Sequence, residues 1–195
     1  KQFFDAQANQ WDSYIDNNLI KKIENKILPV MNIKKNEVVL DVGCGTGILL
    51  PYLKQKVGAK GVVVALDFSK KMLEIAKKKF GNICKYVQLN ASKTFFKKET
   101  FDKIICFNVF PHFPDKTKVL KEFFRILKNG GLLIIAHTDS CNNINIHHKK
   151  IGGVIGKDFM PDNKTIGSML KSVGYESLNI LNKKTYYFLS AKKSV

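Results

Sequence analysis

Arginine is almost absent from the chain: of its 33 basic residues, 32 are lysine and Arg125 is the exception. Recognition of phosphates and base edges commonly uses the planar guanidinium fork of arginine, which makes two parallel hydrogen bonds. The lysines are also spread along the whole chain and form no basic tail or stripe. The net charge of +17 favours contact with a polyanion, but this composition makes a nucleic-acid partner the weaker prediction.

Cysteine and long apolar runs are scarce as well. The four cysteines are widely separated, with neither a C-x-x-C pair nor metal-finger spacing, which argues against a disulfide framework or a structural zinc. No run of 18 or more apolar residues appears, and the N-terminal "FFDAQANQWD" lacks the pattern of a signal peptide. We therefore expect reduced thiols, no membrane insertion and a cytoplasmic location.

The residues that are present predict one α/β domain over residues 1–195. The chain is 45% apolar, enough for a full core, and contains no internal repeat, low-complexity tract or linker. An amphipathic helix or helix pair is expected up to about Pro29, from apolar residues at helical spacing: Ala8, Trp11, Tyr14, Ile15 and Leu19.

Aliphatic strands and helices then alternate. Strands are predicted at 37–42, 61–67, 84–89, 103–110 and 132–137. Helices are predicted at 46–56, after Ser69, and after Asp115 up to the Asn129–Gly131 "NGG" stop. Continuous aliphatic strands separated by helices indicate a parallel sheet covered on both faces, so the fold class is doubly wound α/β.

The last third of the chain breaks this rhythm. The polar stretch 138–164 is predicted to be a long substrate-side loop, because loops of such length in compact domains are often lids or binding loops. A helix at 165–173 follows, and then two strands across Asn182–Lys184 form an antiparallel hairpin. Tyr186 and Tyr187 are expected to face opposite sides of the last strand.

"VLDVGCGTG", residues 39–47, carries the main functional signal. In a doubly wound sheet, ligands bind beyond the carboxyl ends of the strands, usually at the turn after the first one. Gly43, Gly45 and Gly47 let that turn fold tightly against a ligand. The dinucleotide fingerprint G-x-G-x-x-G is not met, because its sixth position is Ile48. A diphosphate ligand is therefore disfavoured.

Two carboxylates extend this interpretation. Asp41, two residues before the first glycine, would repel phosphate and attract an ammonium or sulfonium group. Asp67, at the end of the second strand, is placed to accept hydrogen bonds from both hydroxyls of a ribose. A nucleoside with a positively charged tail fits both carboxylates, and S-adenosylmethionine is such a molecule.

At these residues the chain resembles the class I S-adenosylmethionine-dependent methyltransferases, especially the small-molecule enzymes of the quinone-biosynthesis group. "VLDVGCGTG", "VVVALDFSKKMLEIAKKK", "FDKIICFNVFPHF" and "RILKNGGLLIIAH" are similar, in order, to the family's cofactor loop, ribose strand, fourth strand and fifth strand. The resemblance implies a Rossmann-like, mostly parallel sheet of seven strands with the last strand antiparallel. It also implies a methyl transfer to a small-molecule acceptor.

The resemblance further assigns roles within the cofactor site. Asp41 and the backbone of 43–47, with Cys44 as a small buried residue of the turn, would hold the methionine moiety, and Asp67 the ribose. Phe68 would cover one face of the adenine, and Asn108 would lie beside the methionine tail. Where the family often has Asp-Ala, this chain has Asn90-Ala91, so the adenine edge would meet an amide that both donates and accepts.

The acceptor side is less clearly marked. His112 and His137, expected at the ends of two neighbouring strands, are the candidate catalytic bases. His147 and His148 lie in the predicted loop; the four histidines also suit a metal or metalloid site, but the favoured prediction contains no metal. Aromatic residues near the N-terminus, within a predicted lid at 1–30, would either cover the cofactor or serve as ordinary core: Phe3, Phe4, Trp11 and Tyr14.

Two alternatives to a small-molecule methyltransferase remain at this stage. The net charge of +17 prompts an RNA methyltransferase, and a partner-docking role for the "HHKKIGG" segment prompts a non-catalytic cofactor-binding subunit. Salt-dependent retention of RNA would favour the first. Tight cofactor binding without methyl transfer would favour the second.

Overall fold

A computed structural model describes residues 2–194; Lys1 and Val195, at the two ends of the predicted domain, lie outside them. The helices are α1 (Gln2–Gln7), α2 (Asn17–Lys22), α3 (Leu28–Met31), α4 (Leu50–Val57), α5 (Lys70–Phe80), α6 (Lys116–Ile126), α7 (Cys141–Ile151) and α8 (Asn163–Val173). The strands are β1 (Val38–Val42), β2 (Val62–Asp67), β3 (Lys85–Gln88), β4 (Phe101–Phe107), β5 (Leu127–His137), β6 (Tyr175–Lys183) and β7 (Tyr186–Lys193).

All seven strands form one sheet in the order β3-β2-β1-β4-β5-β7-β6. The contacts among β1 to β5 are parallel, whereas β7 runs antiparallel to both β5 and β6. Parallel strands must be joined by crossovers that cover a face of the sheet. The predicted doubly wound α/β class, with its mostly parallel sheet of seven strands and antiparallel last strand, is confirmed.

Each face of the sheet carries its own hydrophobic core. Along β1, Leu40 and Val42 belong to one core and Val39 to the other. The alternation follows from strand geometry, in which successive side chains point to opposite faces. Tyr186 and Tyr187 divide between the two cores in the same way, as predicted. These cores fix the strands, and with them the carboxyl edge on which the candidate site lies.

Two predicted helix boundaries are wrong. The helix expected at 46–56 begins only at Leu50, because Gly43, Gly45 and Gly47 all have positive φ and continue the turn. The helix after Asp115 ends at Ile126, before the predicted "NGG" stop. Leu127 is already extended, and residues 129–131 lie inside β5 beside a bulge in its pairing with β4.

The fourth strand is also shorter than predicted. It ends at Phe107, and Asn108 at φ 53° turns the chain into a 3-10 helix at Phe110–His112. His112 therefore lies on a turn beyond the strand, where it was expected at the strand end. His137 does end β5, as predicted.

The long loop expected at 138–164 is largely helical. It contains α7, whose N-cap Ser140 accepts a hydrogen bond from the backbone N–H of Asn143, and a 3-10 helix at Ile155–Lys157. Only Cys141, Ile144 and His148 of α7 are buried, so its apolar stripe was too thin to be recognised. The hairpin is as predicted, although its strands extend to Lys183 and from Tyr186.

The N-terminal segment forms short helical pieces that extend slightly beyond Pro29. Between α1 and α3 lie a 3-10 helix at Ala8–Tyr14 and a π-helical turn at Ile23–Ile27. Ile23, Ile27 and Met31 are fully buried in the core that contains Val39. This anchors the second half of the segment, while the first half crosses the carboxyl edge of the sheet.

Candidate functional site

The glycine-rich turn after β1 is shaped by contacts that leave no room for side chains. Gly43, Gly45 and Gly47 have φ values of 66°, 55° and 89°, a region that only glycine adopts freely. A β-carbon on Gly43 would overlap Val109, and one on Gly47 would lie 2.8 Å from Leu50 Cδ1. The backbone N–H of Gly43 also donates to Leu66 O at 2.7 Å. The turn is thus held on the end of β2.

Asp67 is fixed by two backbone donors. Its Oδ2 accepts from the N–H of Gly45 at 2.9 Å, and its Oδ1 accepts from the N–H of Ser69 at 2.8 Å. Burial raises the pKa of this carboxyl group, and the bonds from Ser69 and Gly45 oppose that rise. Each carboxylate oxygen retains a further lone pair, so the group can still accept hydrogen bonds from ribose hydroxyls.

Asp41 is the second buried carboxylate of the site. It is 2% exposed, and neither a hydrogen bond nor a cation from residues 2–194 lowers its pKa. Burial is the main cause that raises its pKa to about 7, and repulsion from Asp67 adds to the rise. A buried carboxylate without a protein counter-charge is costly, and a cationic ligand would offset that cost. Cys44 beside it is buried, and burial raises the pKa of its thiol, which keeps the thiol neutral.

The remaining predicted cofactor residues lie at the same edge and differ in exposure and in hydrogen bonding. Phe68 is 37% exposed and follows Asp67 directly. The Oδ1 atom of Asn90 accepts from the N–H and hydroxyl of Ser92, both at 2.9 Å, which leaves its Nδ2 group to donate. Ala91 is buried.

Asn108 forms two hydrogen bonds with Thr138: its Nδ2 donates to the hydroxyl, and its Oδ1 accepts from the backbone N–H. Its side chain therefore links the ends of β4 and β5.

The first part of the N-terminal segment packs over this edge. The Phe4 ring lies edge-on to Phe68 at 5.6 Å between centroids and to His112 at 5.2 Å. A β-carbon on Gly45 would lie 3.7 Å from Trp11 Nε1. Phe3, at 36%, and Tyr14, at 66%, are the more exposed aromatics of this segment.

Polar contacts reinforce this packing. Asp5 accepts a hydrogen bond from the hydroxyl of Ser69, the N-cap residue of α5. Asp12 accepts from the hydroxyl of Thr46 at 2.6 Å and pairs with Lys79 at 2.8 Å. The acidic residues of the segment therefore hold it to the glycine-rich turn and to α5.

Two histidines and an aspartate converge on the other side of Phe4. Nδ1 of His112 lies 2.7 Å from Oδ2 of Asp158, and Nδ1 of His148 lies 2.9 Å from the carbonyl oxygen of Asp158. The two imidazole rings stack at 5.0 Å. Burial lowers the pKa of His112, and Asp158 opposes that shift. The imidazole is thus neutral near neutral pH, with Asp158 to orient it.

His137 is buried near this pair of histidines. It is 3% exposed, and burial, aided by repulsion from His112 and His148, lowers its pKa to about 3. Within the described residues, its Nε2 atom and the hydroxyl of Tyr187 are both buried without a hydrogen-bond partner, and the two rings lie 6.4 Å apart. Unpaired buried polar atoms are uncommon, so a polar group of a ligand could satisfy this pair.

The histidines do not make a metal centre as they stand. Among residues 2–194, no group of three His, Cys, Asp or Glu side chains is arranged to hold a metal ion. His147 is exposed and turns away from the centre, 6.3 Å from His148 between ring centroids. A separate cavity of about 670 Å³ opens between the first turns of α7 and α8, and its lining includes none of the glycines or carboxylates above.

Sequence reasoning missed several of these residues. Asp5, Asp12 and Asp158 had no expected role, His148 was named only within the metal or metalloid alternative, and the side chain of Thr46 had no role assigned within "VLDVGCGTG". The "S-x-x-N" start of α7 was the one available signal for the helix, because serine is a favourable N-cap. Nothing local to the sequence pairs Asp158 with His112, which lies 46 residues earlier.

Fold and site together define an α/β protein whose first two strands bring a glycine-rich turn and two buried carboxylates, Asp41 and Asp67, to one edge of the sheet. A family described as a methyltransferase domain matches residues 40–135. The demethylmenaquinone methyltransferase of Bacillus pumilus is 33% identical over 161 residues, 77% of this chain and 69% of that protein.

Solved structures agree on the fold. A SAM-dependent methyltransferase from Aquifex aeolicus superposes with a TM-score of 0.73 at 23% identity, over 96% of this chain and 97% of that one. Phosphoethanolamine N-methyltransferase 2 of Haemonchus contortus, in complex with S-adenosyl-L-methionine, gives a TM-score of 0.78 at 15% identity, over 100% of this chain and 58% of that one.

The chain belongs to the class I S-adenosylmethionine-dependent methyltransferases and resembles their quinone-biosynthesis group. It is an enzyme that uses S-adenosylmethionine to methylate a small-molecule acceptor. Nothing in these similarities favours the RNA-methylating or non-catalytic alternatives. Within residues 2–194, no helix combines the length and apolar composition needed to cross a bilayer.

Proposed function

We propose that the acceptor is a small aromatic ring bearing a hydroxyl group, of the quinol type, and that His112 removes the hydroxyl proton. The observation that carries this proposal is the 2.7 Å contact between Nδ1 of His112 and Oδ2 of Asp158. The similarity to a demethylmenaquinone methyltransferase supports an acceptor of this class. The acceptor would lie between the cofactor edge and the stacked histidines.

Asp41, the glycine-rich turn and Asp67 would hold the cofactor, with Asp41 facing its positive end and Asp67 its ribose. Phe68, Asn90 and Ala91 would contact the adenine. S-adenosylmethionine supplies an electrophilic methyl group on a positively charged sulfur. The fit rests on the positive-φ glycines, on the buried Asp41, whose pKa no hydrogen bond or cation from residues 2–194 lowers, and on Asp67 held by Gly45 and Ser69.

His112 is suited to take a proton in its neutral form. A neutral imidazole that donates Nδ1–H to Asp158 carries its lone pair on Nε2. Asp158 would fix that tautomer and stabilise the imidazolium that forms. His148 forms no hydrogen bond with His112 among the described contacts. Its ring stacks against the ring of His112 and would hold that ring in its plane. His112 thus acts as the base, and Asp158 and His148 act as positioning residues.

The reaction balances with one proton released. The hydroxyl proton moves to His112 as a bond forms between the adjacent ring carbon and the methyl carbon. S-adenosylmethionine would supply this methyl group, and the electron pair of the methyl–sulfur bond would stay on sulfur. The ring carbon would then lose its hydrogen as a proton to water, while His112 would return its proton to the oxygen, which restores the aromatic ring.

The N-terminal segment would act as the lid over this reaction. Phe4 contacts both Phe68 and His112, and so spans the cofactor and acceptor sides. A closed apolar cover excludes water and strengthens electrostatic interactions inside the site. The 138–164 segment would supply the opposite wall through His148 and Asp158. We place the reaction in the cytoplasm, an assignment supported by four free cysteines.

Methyl-labelled S-adenosylmethionine and a panel of acceptors test this proposal. We expect label in a dihydroxynaphthalene kept reduced under anaerobic conditions, and little in an aliphatic amine or in RNA. His112→Gln should lower kcat by about 100-fold or more, the usual contribution of a general base, and Asp158→Asn should lower it by about tenfold while shifting the pH profile. His147→Gln is the matched control and should retain wild-type turnover. Transfer to the amine or RNA alone would contradict the proposal.

A further inference from the structure

The segment 146–159 exposes apolar and basic side chains together. Four large apolar residues are between 45% and 73% exposed there: Ile146, Ile151, Val154 and Phe159. Three exposed lysines lie among them: Lys149, Lys150 and Lys157. Single exposed apolar residues are ordinary on protein surfaces, but four within 14 positions, interleaved with lysine, point to an interaction surface.

The charge of this segment is almost purely positive. Its one carboxylate, Asp158, is turned inward and bonded to His112. Gly152 and Gly153, both at positive φ, end α7 and let the chain turn so that Val154 stands out at 73% exposure. The surface therefore combines apolar side chains that can be buried with lysines that stay solvated at the rim.

The segment also borders the acceptor side of the site. His148, which stacks on His112, lies one helical turn before Ile151 on the same face of α7. Phe159 directly follows Asp158, and Nζ of Lys116 lies 4.8 Å from the centre of its ring. The segment thus carries both the exposed side chains and the two residues that contact His112, His148 and Asp158.

We propose that the segment 146–159 docks on the surface of an anionic lipid bilayer. Exposed aliphatic and aromatic side chains would enter the boundary of the acyl chains, while the lysines would contact lipid phosphates. Charge complementarity favours an anionic lipid surface over a second copy of the chain. A net charge of +17 attracts anionic lipids, whereas it repels another chain of the same charge. Membrane docking goes beyond the proposed acceptor chemistry, and its test requires no turnover.

Cosedimentation of the full chain with vesicles tests the docking surface. We expect binding to phosphatidylcholine vesicles that contain phosphatidylglycerol, weak binding to phosphatidylcholine alone, and loss of binding at high salt. Because each lysine near an anionic surface contributes roughly fivefold, replacing Lys149, Lys150 and Lys157 with glutamine should weaken binding about 100-fold. Ile151→Ser combined with Val154→Ser should weaken it at least tenfold without altering the circular dichroism spectrum.

A second basic and aromatic surface provides the matched control. Phe95 is 75% exposed on the connection between β3 and β4, and Lys93, Lys97 and Lys98 lie beside it in the sequence. Phe95→Ser, or glutamine at those three lysines, should leave vesicle binding unchanged. Equal weakening by these controls would reduce the effect to net charge and overturn the proposal. Absence of vesicle binding would overturn it too, as would a stable dimer that Val154→Ser dissociates.

Discussion

The backbone N–H of Gly45 donates to Oδ2 of Asp67 at 2.9 Å, which joins the glycine-rich turn of β1 to the end of β2. This bond orients the carboxylate that is expected to bind the ribose and fixes the loop that is expected to bind the methionine moiety. One interaction therefore couples both halves of the proposed cofactor site, so a substitution in either half should also disturb the other half.

Asp67→Ala should weaken S-adenosylmethionine binding by about 30-fold or more. The change removes an ionised acceptor for ribose, and hydrogen bonds to charged groups contribute about 1.5–3 kcal/mol. It also frees the N–H of Gly45. Isothermal calorimetry measures the loss. The control is Asp102→Ala at the opposite edge, where Oδ2 accepts from the N–H of Val38 at 2.8 Å. Equal affinity for wild type and Asp67→Ala would remove Asp67 from the site.

Asp41 should make cofactor binding pH-dependent. Its pKa of about 7 means that it is largely protonated below pH 7 and ionised above it. Because the carboxylate attracts a cation, affinity for S-adenosylmethionine should fall up to about tenfold for each pH unit below 7. Asp41→Asn should bind weakly at pH 8 and lose this dependence. A wild-type affinity that stays constant between pH 6 and pH 8 would contradict the prediction.

The raised pKa of Asp41 also predicts an effect on stability: the ionised carboxylate favours cofactor binding but destabilises the free protein. A carboxyl group whose pKa is higher in the folded state than in the unfolded state binds more protons when folded, so its burial destabilises the free protein as pH rises from about 4 to 7. Removing the charge should stabilise it. We expect Asp41→Asn to increase the free energy of unfolding by about 2–4 kcal/mol at pH 8 and to leave it nearly unchanged at pH 4. Denaturant titration at both pH values measures the difference.

His137→Phe should separate packing from function at the buried histidine. The Nε2 atom of His137 is buried without a partner among the described residues, and replacing such a group with an apolar one of similar shape costs little stability. We expect an unchanged or higher Tm, an unchanged cofactor affinity and a turnover lowered about tenfold. Tyr187→Phe should behave in the same way if both atoms meet the acceptor. Full activity in both variants would assign the pair to packing alone.

Trp11, the single tryptophan of the chain, should report cofactor binding. Its indole lies over Gly45, so occupation of the glycine-rich turn should change its fluorescence intensity or wavelength. The titration should saturate at the concentration where calorimetry saturates, and Trp11→Phe should abolish the signal. An unchanged spectrum at saturation would show that the N-terminal segment does not sense the cofactor edge.

The cofactor edge was predictable because its residues are local to strand ends. The lengths of β1, the glycine-rich turn, α4 and β2 set the spacing of Asp41, Gly43, Gly45, Gly47 and Asp67. Strand alternation and the positive φ of glycine then orient these residues, and the parallel pairing of β1 with β2 brings the two strand ends together. The structure brings these residues together as the sequence indicated.

The acceptor side was only partly predictable. The sequence offered His112 and His137 as candidate bases, and that role stays a prediction. The expected position of His112 at a strand end was wrong, and the loop at 138–164 proved to contain α7. A helix with three buried residues has almost no apolar stripe, so its pattern resembles that of a loop. Asp158 lies far from His112 along the chain, and its importance comes from a contact that no local pattern encodes.

The order of apolar runs, glycines and carboxylates in the sequence determined the α/β class and predicted an edge suited to a cationic nucleoside, because each motif lies at the end of a strand that its local pattern identifies. Tertiary packing alone decided which residues face that edge from afar: Phe4 over Phe68, Trp11 over Gly45, and Asp158 on His112. These contacts join segments 34 to 64 residues apart, and their energies exist only once the sheet has brought those segments together.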